Sequence, residues 1–231
     1  MKKLFLGAAL LSAVLTIKAQ TVDEIVGKHL AAVGGKANLD KVKNVMMEGS
    51  MDAMGNKVDV KVVKVPGKLY RQDISVMGMN GYNIVTDTSG WMFMPFAGQT
   101  SPEPLSGDML KGAQGELSIA DALVDYQAKG NKLQLQGKED IAGSDSYKML
   151  VVSATGDSST VYVDVNTSLI TRTSVVRSMM GQEMTVNIDY SDYKDVDGLK
   201  FPFTMGMQQG TITFSSIKTN QTVDPKLYNR Q

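Results

Sequence analysis

From Asn44 onward the hydrophobic period is two, and turn signals recur at hairpin spacing almost to the end of the chain. Val58, Val60 and Val62 alternate with Asp59 and Lys61 before Pro66-Gly67 breaks the run. Leu69 to Met79 reads as the next strand, and Asn80-Gly81 as a type I′ hairpin turn, whose two central residues need positive φ. Tyr82 to Thr86 returns, Asp87 to Gly90 turns, and Trp91 to Phe96 is an apolar strand closed by Pro95 and Ala97-Gly98. The pattern resumes with Leu133 and Leu135. It then runs through turns at Ala142 to Ser144, Gly156-Asp157, Thr167-Ser168 and Asp197-Gly198, and its last strands are Leu199 to Met207 and Thr211 to Ile217. About a dozen strands result. So long a run of hairpins must curl to limit its exposed edges.

Two stretches have a helical period. Thr21 to Gly35 carries Val22, Ile25, Val26, Leu30 and Val33 as one apolar stripe. Thr21 and Glu24 have capping-box spacing, and Gly34-Gly35 suits a helix C-terminus. Ser118 to Gly130 is expected as a second helix, with Ile119, Ala122, Leu123 and Tyr126 on one side. Lys36 to Lys43 reads as a short connecting turn or a second helical turn, Gln99 to Gly115 as a loop, and Thr219 to Gln231 as a loose polar cap. The expected fold class is mostly β with α: a large curled antiparallel sheet forming an unclosed β-barrel, plugged by the N-terminal helix and the second helix.

Met1 to Ala19 has a positive start at Lys2 and Lys3, an uncharged apolar run from Leu4 to Ile17 and a small residue before Gln20. This is the pattern of a secretory signal peptide, and the run is short for a membrane span. The chain then divides into 1–19 as signal peptide and 20–231 as a single half-barrel domain, with the periplasm as destination in a bacterial cell. Cleavage would remove Lys2, Lys3 and Lys18 from the 24 basic residues, leaving 21 against 24 acidic ones. No basic field remains to hold nucleic acid.

Catalytic chemistry is hard to assemble from these residues. There are no cysteines, which excludes a thiolate metal site, a disulfide framework, a thiol nucleophile and a lipid-modified N-terminal cysteine. His29 is the only histidine, so a histidine-type metal site is excluded, and a Ser-His-Asp set would depend on this one residue beside the first helix's stripe. Asp192, Asp195 and Asp197 precede Gly198 without the EF-hand spacing, which suits a polar turn. No catalytic residue, metal ligand or cofactor is expected.

What remains is apolar. The chain has 16 methionines, which read first as gap fillers in a core and second as an adaptable binding surface. Met92, Met94 and Phe96 share one strand face, with Trp91 and Phe93 on the other. Phe201, Phe203, Met205 and Met207 share a face, and Met77 and Met79 precede a hairpin. A strand apolar on both faces needs both covered, by a helix on one side and a loop, a lid or a ligand on the other.

Several of these stretches resemble the LolA-like periplasmic lipoprotein carriers and their LolB-like relatives. The segments are Val65-Pro66-Gly67-Lys68-Leu69-Tyr70-Arg71, then Ile84-Val85-Thr86-Asp87 with Trp91-Met92-Phe93-Met94-Pro95. Tyr190-Ser191-Asp192-Tyr193 through Gly198-Leu199-Lys200-Phe201-Pro202 is similar to the family's closing hairpin. The resemblance implies an unclosed barrel with a helical lid and an apolar cavity that takes lipoprotein acyl chains. Well-known carriers have a lid-latching arginine just before the proline of the first motif, where this chain has Val65, with Arg71 further on.

The expected activity is therefore a non-enzymatic lipid or lipoprotein carrier, with Met77, Met79, Met92, Met94, Phe96, Phe201, Phe203 and Met205 lining the cavity. Its partners would be acyl chains of lipoproteins or lipids, with an envelope protein partner and transient membrane contact open. The rival expectations are an envelope interaction module whose barrel is filled by its own helices, a binder of another apolar ligand, and an enzyme on an apolar envelope substrate.

Overall fold

The computed structural model describes residues 20–53, 55–179 and 182–230. The expected signal peptide, Met1 to Ala19, lies outside the described residues. Among the described residues thirteen strands form one antiparallel sheet. They are β1 (Val45–Ala53), β2 (Asn56–Val65), β3 (Leu69–Val76), β4 (Met79–Val85), β5 (Gly90–Phe93), β6 (Glu103–Pro104), β7 (Lys132–Ile141), β8 (Ser144–Val152), β9 (Ser158–Asp164), β10 (Ile170–Met179), β11 (Gln182–Val196), β12 (Leu199–Met207) and β13 (Gly210–Thr219). The order is β6-β5-β4-β3-β2-β1-β13-β12-β11-β10-β9-β8-β7, so the last hairpin bridges two meanders and the sheet stays open between β6 and β7. The expected unclosed half-barrel is what forms.

Register assigns the faces. Val62 pairs with Gln72, which pairs with no charged core residue, whereas Val63 pairs with Arg71 and Arg71 with Ile84. Val58, Val60 and Val62 therefore share the concave face with Ile212, Phe214 and Ile217, all buried. Val63, Leu69, Tyr82 and Ile84 belong to a separate cluster on the convex face.

Helix α1 (Val22–Ala32) forms as its sequence predicts, with both capping-box bonds present. The Glu24 amide donates to Thr21 Oγ1 at 3.2 Å and the Thr21 amide to the Glu24 carboxylate at 3.0 Å. Gly34 has φ +113°, and a Cβ there would lie 2.1 Å from the Gly198 carbonyl oxygen. Only glycine lets the helix end approach the β11–β12 turn so closely, where the Lys200 amide donates to the Val33 carbonyl at 3.0 Å. The helix α2 (Lys36–Leu39) follows. Ile25 and Val26 of α1 pack with Leu123 onto Met149, Val151, Val161, Val163 and Ile170, filling the concave face of the β8–β10 region.

Four local expectations are corrected. Ser118 to Gly130 is not a helix but a run of bends and turns. Asp125, next to the buried Leu123 and Val124, has φ 54°, a left-handed conformation that a right-handed helix cannot contain. Side chains hold the backbone instead: Lys129 Nζ donates to the Ala120 and Asp121 carbonyls, and Asn131 Nδ2 to the Ala122 carbonyl. The further helix, α3 (Gly107–Gln114), lies within the stretch read as a loop.

The second correction is the β3–β4 turn, which is Met77-Gly78, with φ 51° and 82°, and not Asn80-Gly81. The Val65–Lys68 turn fixes where β3 begins and the Thr86–Ser89 turn fixes where β4 ends. Only the earlier turn makes the two strands match in length. Third, β5 stops at Phe93, because Pro95 opens a 3-10 turn (Pro95–Ala97). Fourth, the tail is docked and not loose: Val223 and Leu227 pack on the convex cluster, and the Arg230 guanidinium lies 3.9 Å from the Trp91 ring centroid.

Candidate functional site: an apolar trough

The concave face has two unlike halves. Over β8–β10 it is sealed by α1 and the Ser118–Gly130 segment. Over β1–β3 and β12–β13 the cover is partial. Leu39 and Ile119 pack at its lower part, while Met47, Met51, Ile74, Val76, Phe203, Met205 and Met207 pack on the buried core yet keep part of their surface exposed. Towards the upper end one row crosses the sheet. Met79 pairs with Val76, Val76 with Val58 and Val58 with Met51, and on the far side of β13 Ile212 pairs with Met205. This half of the sheet is an apolar trough that the described residues leave partly open.

The trough's two ends carry different turns, and exposed charges stand at both, with Asp52, Lys57 and Asp59 beside the first. Alternate hairpins put Met77-Gly78 and the uncharged Gln208-Gln209 turn at one end, with Met51 and Met184 nearby in their strands. The other end carries α2 and the turns at Pro66–Lys68, Asp87–Ser89 and Asp197-Gly198. Exposed Lys36, Asp40, Lys68 and Asp87 gather there. A cleft of about 500 Å³ opens at that polar end between α2, Pro66-Gly67 and Leu117–Lys129. At the methionine end the sheet is split. β11 pairs with β12 only as far as Asp189–Gly206, and above that point a cleft of about 670 Å³ is lined by Met184, Asn187, Met207, Gln208 and Thr211 among others.

The predicted lining residues fall into three groups. Phe201, Phe203 and Met205 lie together on the concave face of β12. Met92 shares the concave parity through Asn83, and beyond the strand end the Met94 sulfur and Phe96 ring lie beside the space a Gly81 Cβ would fill. The β5 and β12 groups are separated by β4, β3, β2, β1 and β13. Met77 stands in the hairpin turn, 76% exposed, and Met79 on the rim, 42% exposed. Trp91 and Phe93 pair with Ile84 and Tyr82 and belong to the convex cluster under the tail, which settles their parity. Sequence reasoning missed Met47, Met51, Ile74 and Val76. Their period-two alternation was present, but Gly49 and Ser50 interrupt the first strand, and the misplaced turn obscured the second.

The polar groups near the trough hold its cover. His29 is buried, with Nδ1 2.8 Å from the Ser168 carbonyl and Nε2 2.9 Å from the Asp121 carboxylate. With Asp121 ionised both partners accept, an arrangement that favours a ring donating from both nitrogens, the imidazolium. Burial opposes that charge, but the bond and charge of Asp121 and the Ser168 carbonyl outweigh it and raise the pKa above the usual 6.5. Burial likewise opposes ionisation of Asp121, and His29, the Leu123 amide and Lys129 outweigh it and lower its pKa. Lys64 pairs with Glu116 at 2.7 Å, and the Gly67 amide donates to the Leu117 carbonyl at 3.0 Å. Val65 belongs to the convex cluster, and Arg71 is buried against Asp73 and the tail carbonyls of Leu227 and Asn229. Neither reaches the cover. The Asp192–Asp197 group is spent on local contacts with Lys194, the Gly198 amide and Thr219. Among the described residues no group of three or more His, Asp or Glu is placed to hold a metal ion.

No protein-family model and no curated protein matches the chain. Solved structures do. A DUF1329 family protein from Desulfovibrio piger superposes with TM-score 0.59 at 13% identity, over 90% of this chain and 97% of that one. A LolA superfamily protein from Nitrosomonas europaea gives 0.57 at 15%, over 92% and 99%. The fold is LolA-like. A domain assigned to outer membrane lipoprotein sorting, from Vibrio parahaemolyticus, gives 0.54 at 15% identity over 90% and 97% of the two chains. At these identities the LolA-like likeness concerns the backbone, and function has to be argued from the trough. No described helix is long and apolar enough to cross a membrane.

Proposed function

We propose that the protein is a non-enzymatic periplasmic carrier, exported by Met1 to Ala19, that holds acyl chains of lipids or lipoproteins in the trough. The observation that carries this reading is the half-open apolar row running from Met79 through Val76 and Met51 to Met205. Burying each methylene of a chain contributes about 0.8 kcal/mol, so a long tail laid along this row gains useful affinity without a polar contact. Flexible methionines let one surface fit tails of different shape. The split between β11 and β12 offers a way in from the side. The LolA-like backbone, shared with a domain assigned to lipoprotein sorting, supports the same reading. Because α1 and the Ser118–Gly130 segment fill the other half, the cargo is a small number of chains held in the β1–β3 and β12–β13 region.

The test is titration of delipidated mature protein with a fluorescent fatty-acid probe. Saturable binding is expected, and Met51→Asp and Met205→Asp should weaken it at least ten-fold while far-ultraviolet circular dichroism stays unchanged. A folded protein with no saturable binding would refute the carrier. Mass spectrometry of co-purifying lipid then identifies the cargo.

A further inference from the structure

The placement of methionine supports an inference that rests on the carrier reading and goes beyond it. With 16 methionines and no cysteine, thioethers are the only oxidisable sulfur in the chain. They are not spread evenly. Met77 is 76% exposed, Met79 42% and Met184 41%, all at the end where the trough opens, whereas Met149 in the sealed half is 0% exposed. Met77 also occupies its turn against local preference. Its φ of 51° is one that asparagine or glycine adopts at lower cost. Besides its flexibility, methionine gives these positions something no aliphatic side chain would: a sulfur that oxidises.

We propose that this rim is an oxidative modification site, at which peroxide or hypochlorite converts Met77, Met79 and Met184 to sulfoxides and so loosens the trough's hold on its apolar ligand. In the peroxide reaction a sulfur lone pair attacks one oxygen, the O–O bond breaks and an S–O bond forms. The other oxygen leaves as water. Sulfur gives up two electrons and the peroxide accepts them. The product is polar and must be desolvated wherever an acyl chain lies against it. A sulfoxide reductase using two thiols reverses the change, yielding the thioether, a disulfide and water.

The experiment treats mature protein with graded hydrogen peroxide, maps sulfoxides by peptide mass spectrometry and measures fatty-acid probe affinity at each stage. Met77 should react first, Met79 and Met184 next, and Met149 last. Met109, 62% exposed on α3 and away from the rim, is an internal control: it should oxidise early, and Met109→Leu should give no protection. Probe affinity should fall at least five-fold as the rim oxidises. The triple variant Met77→Leu/Met79→Leu/Met184→Leu, compared with its own untreated affinity, should lose less than two-fold under the same treatment. Rim oxidation that leaves affinity within two-fold, or a triple variant as sensitive as wild type, overturns this proposal alone. An untreated protein that binds no probe overturns the carrier reading, and this proposal with it.

Discussion

His29 and Asp121, 92 residues apart in sequence, meet at 2.9 Å and fasten α1 to the segment that covers the sealed half of the sheet. The raised pKa of His29 makes the protonated pair the stabilising form. Its contribution is fully present below about pH 6.5 and is lost as pH rises through the higher folded-state value. Urea midpoints should therefore decline as pH rises above about 6.5. His29→Gln should flatten that decline and cost about 3 kcal/mol at pH 6, because it leaves a carboxylate without its partner. A variant with the wild-type pH profile would show that the pair contributes nothing.

Arg71 supplies a second measurable link. Its Nε and Nη2 face Asp73, its Nη1 faces the carbonyls of Leu227 and Asn229, and the guanidinium lies over Tyr82 at 5.2 Å. Lysine cannot reproduce that fork. Arg71→Lys should free the tail, seen as fast tryptic cleavage after Lys226, and lower stability by about 2 kcal/mol.

The β3–β4 turn predicts a gain. Replacing Met77 by Asn would create Asn-Gly at the two positive-φ positions, the preferred type I′ pair. Met77→Asn should raise unfolding free energy by about 1 kcal/mol, read from chemical denaturation. No gain would mean that the methionine side chain makes up for its backbone conformation.

Gly81 tests the lip of the trough. A Cβ there would meet the Phe93 carbonyl oxygen at 2.7 Å and the Phe96 ring at 2.8 Å. Gly81→Ala should cost about 2 kcal/mol in thermal unfolding and displace Phe96, changing fatty-acid probe affinity as well. Unchanged stability would show that the 3-10 turn moves freely.

Strand number, the open sheet and the capped first helix were legible because each rests on a local signal: period two, turn residues, the Thr21–Glu24 box. The errors arose where long-range packing outweighed local preference. Asn80-Gly81 is the better isolated turn, yet matched strand ends move the turn to Met77-Gly78. Ser118 to Gly130 has helical spacing, yet its backbone turns left-handed at Asp125 and is held irregular by long-range packing and by Lys129 and Asn131. The β12 residues of the trough could be read from alternation alone. The division into sealed and open halves could not, because it depends on which strands α1 lies across.

A closed barrel has its bore dictated by strand count and shear. This sheet ends freely at β6 and β7, and β11 parts from β12 near the methionine rim, so its curvature answers to no such arithmetic. On the proposed carrier reading, those free ends would let the wall flatten or tighten around an acyl chain while its ladders stay paired, so girth of cargo would be a matter of bending and not of sequence.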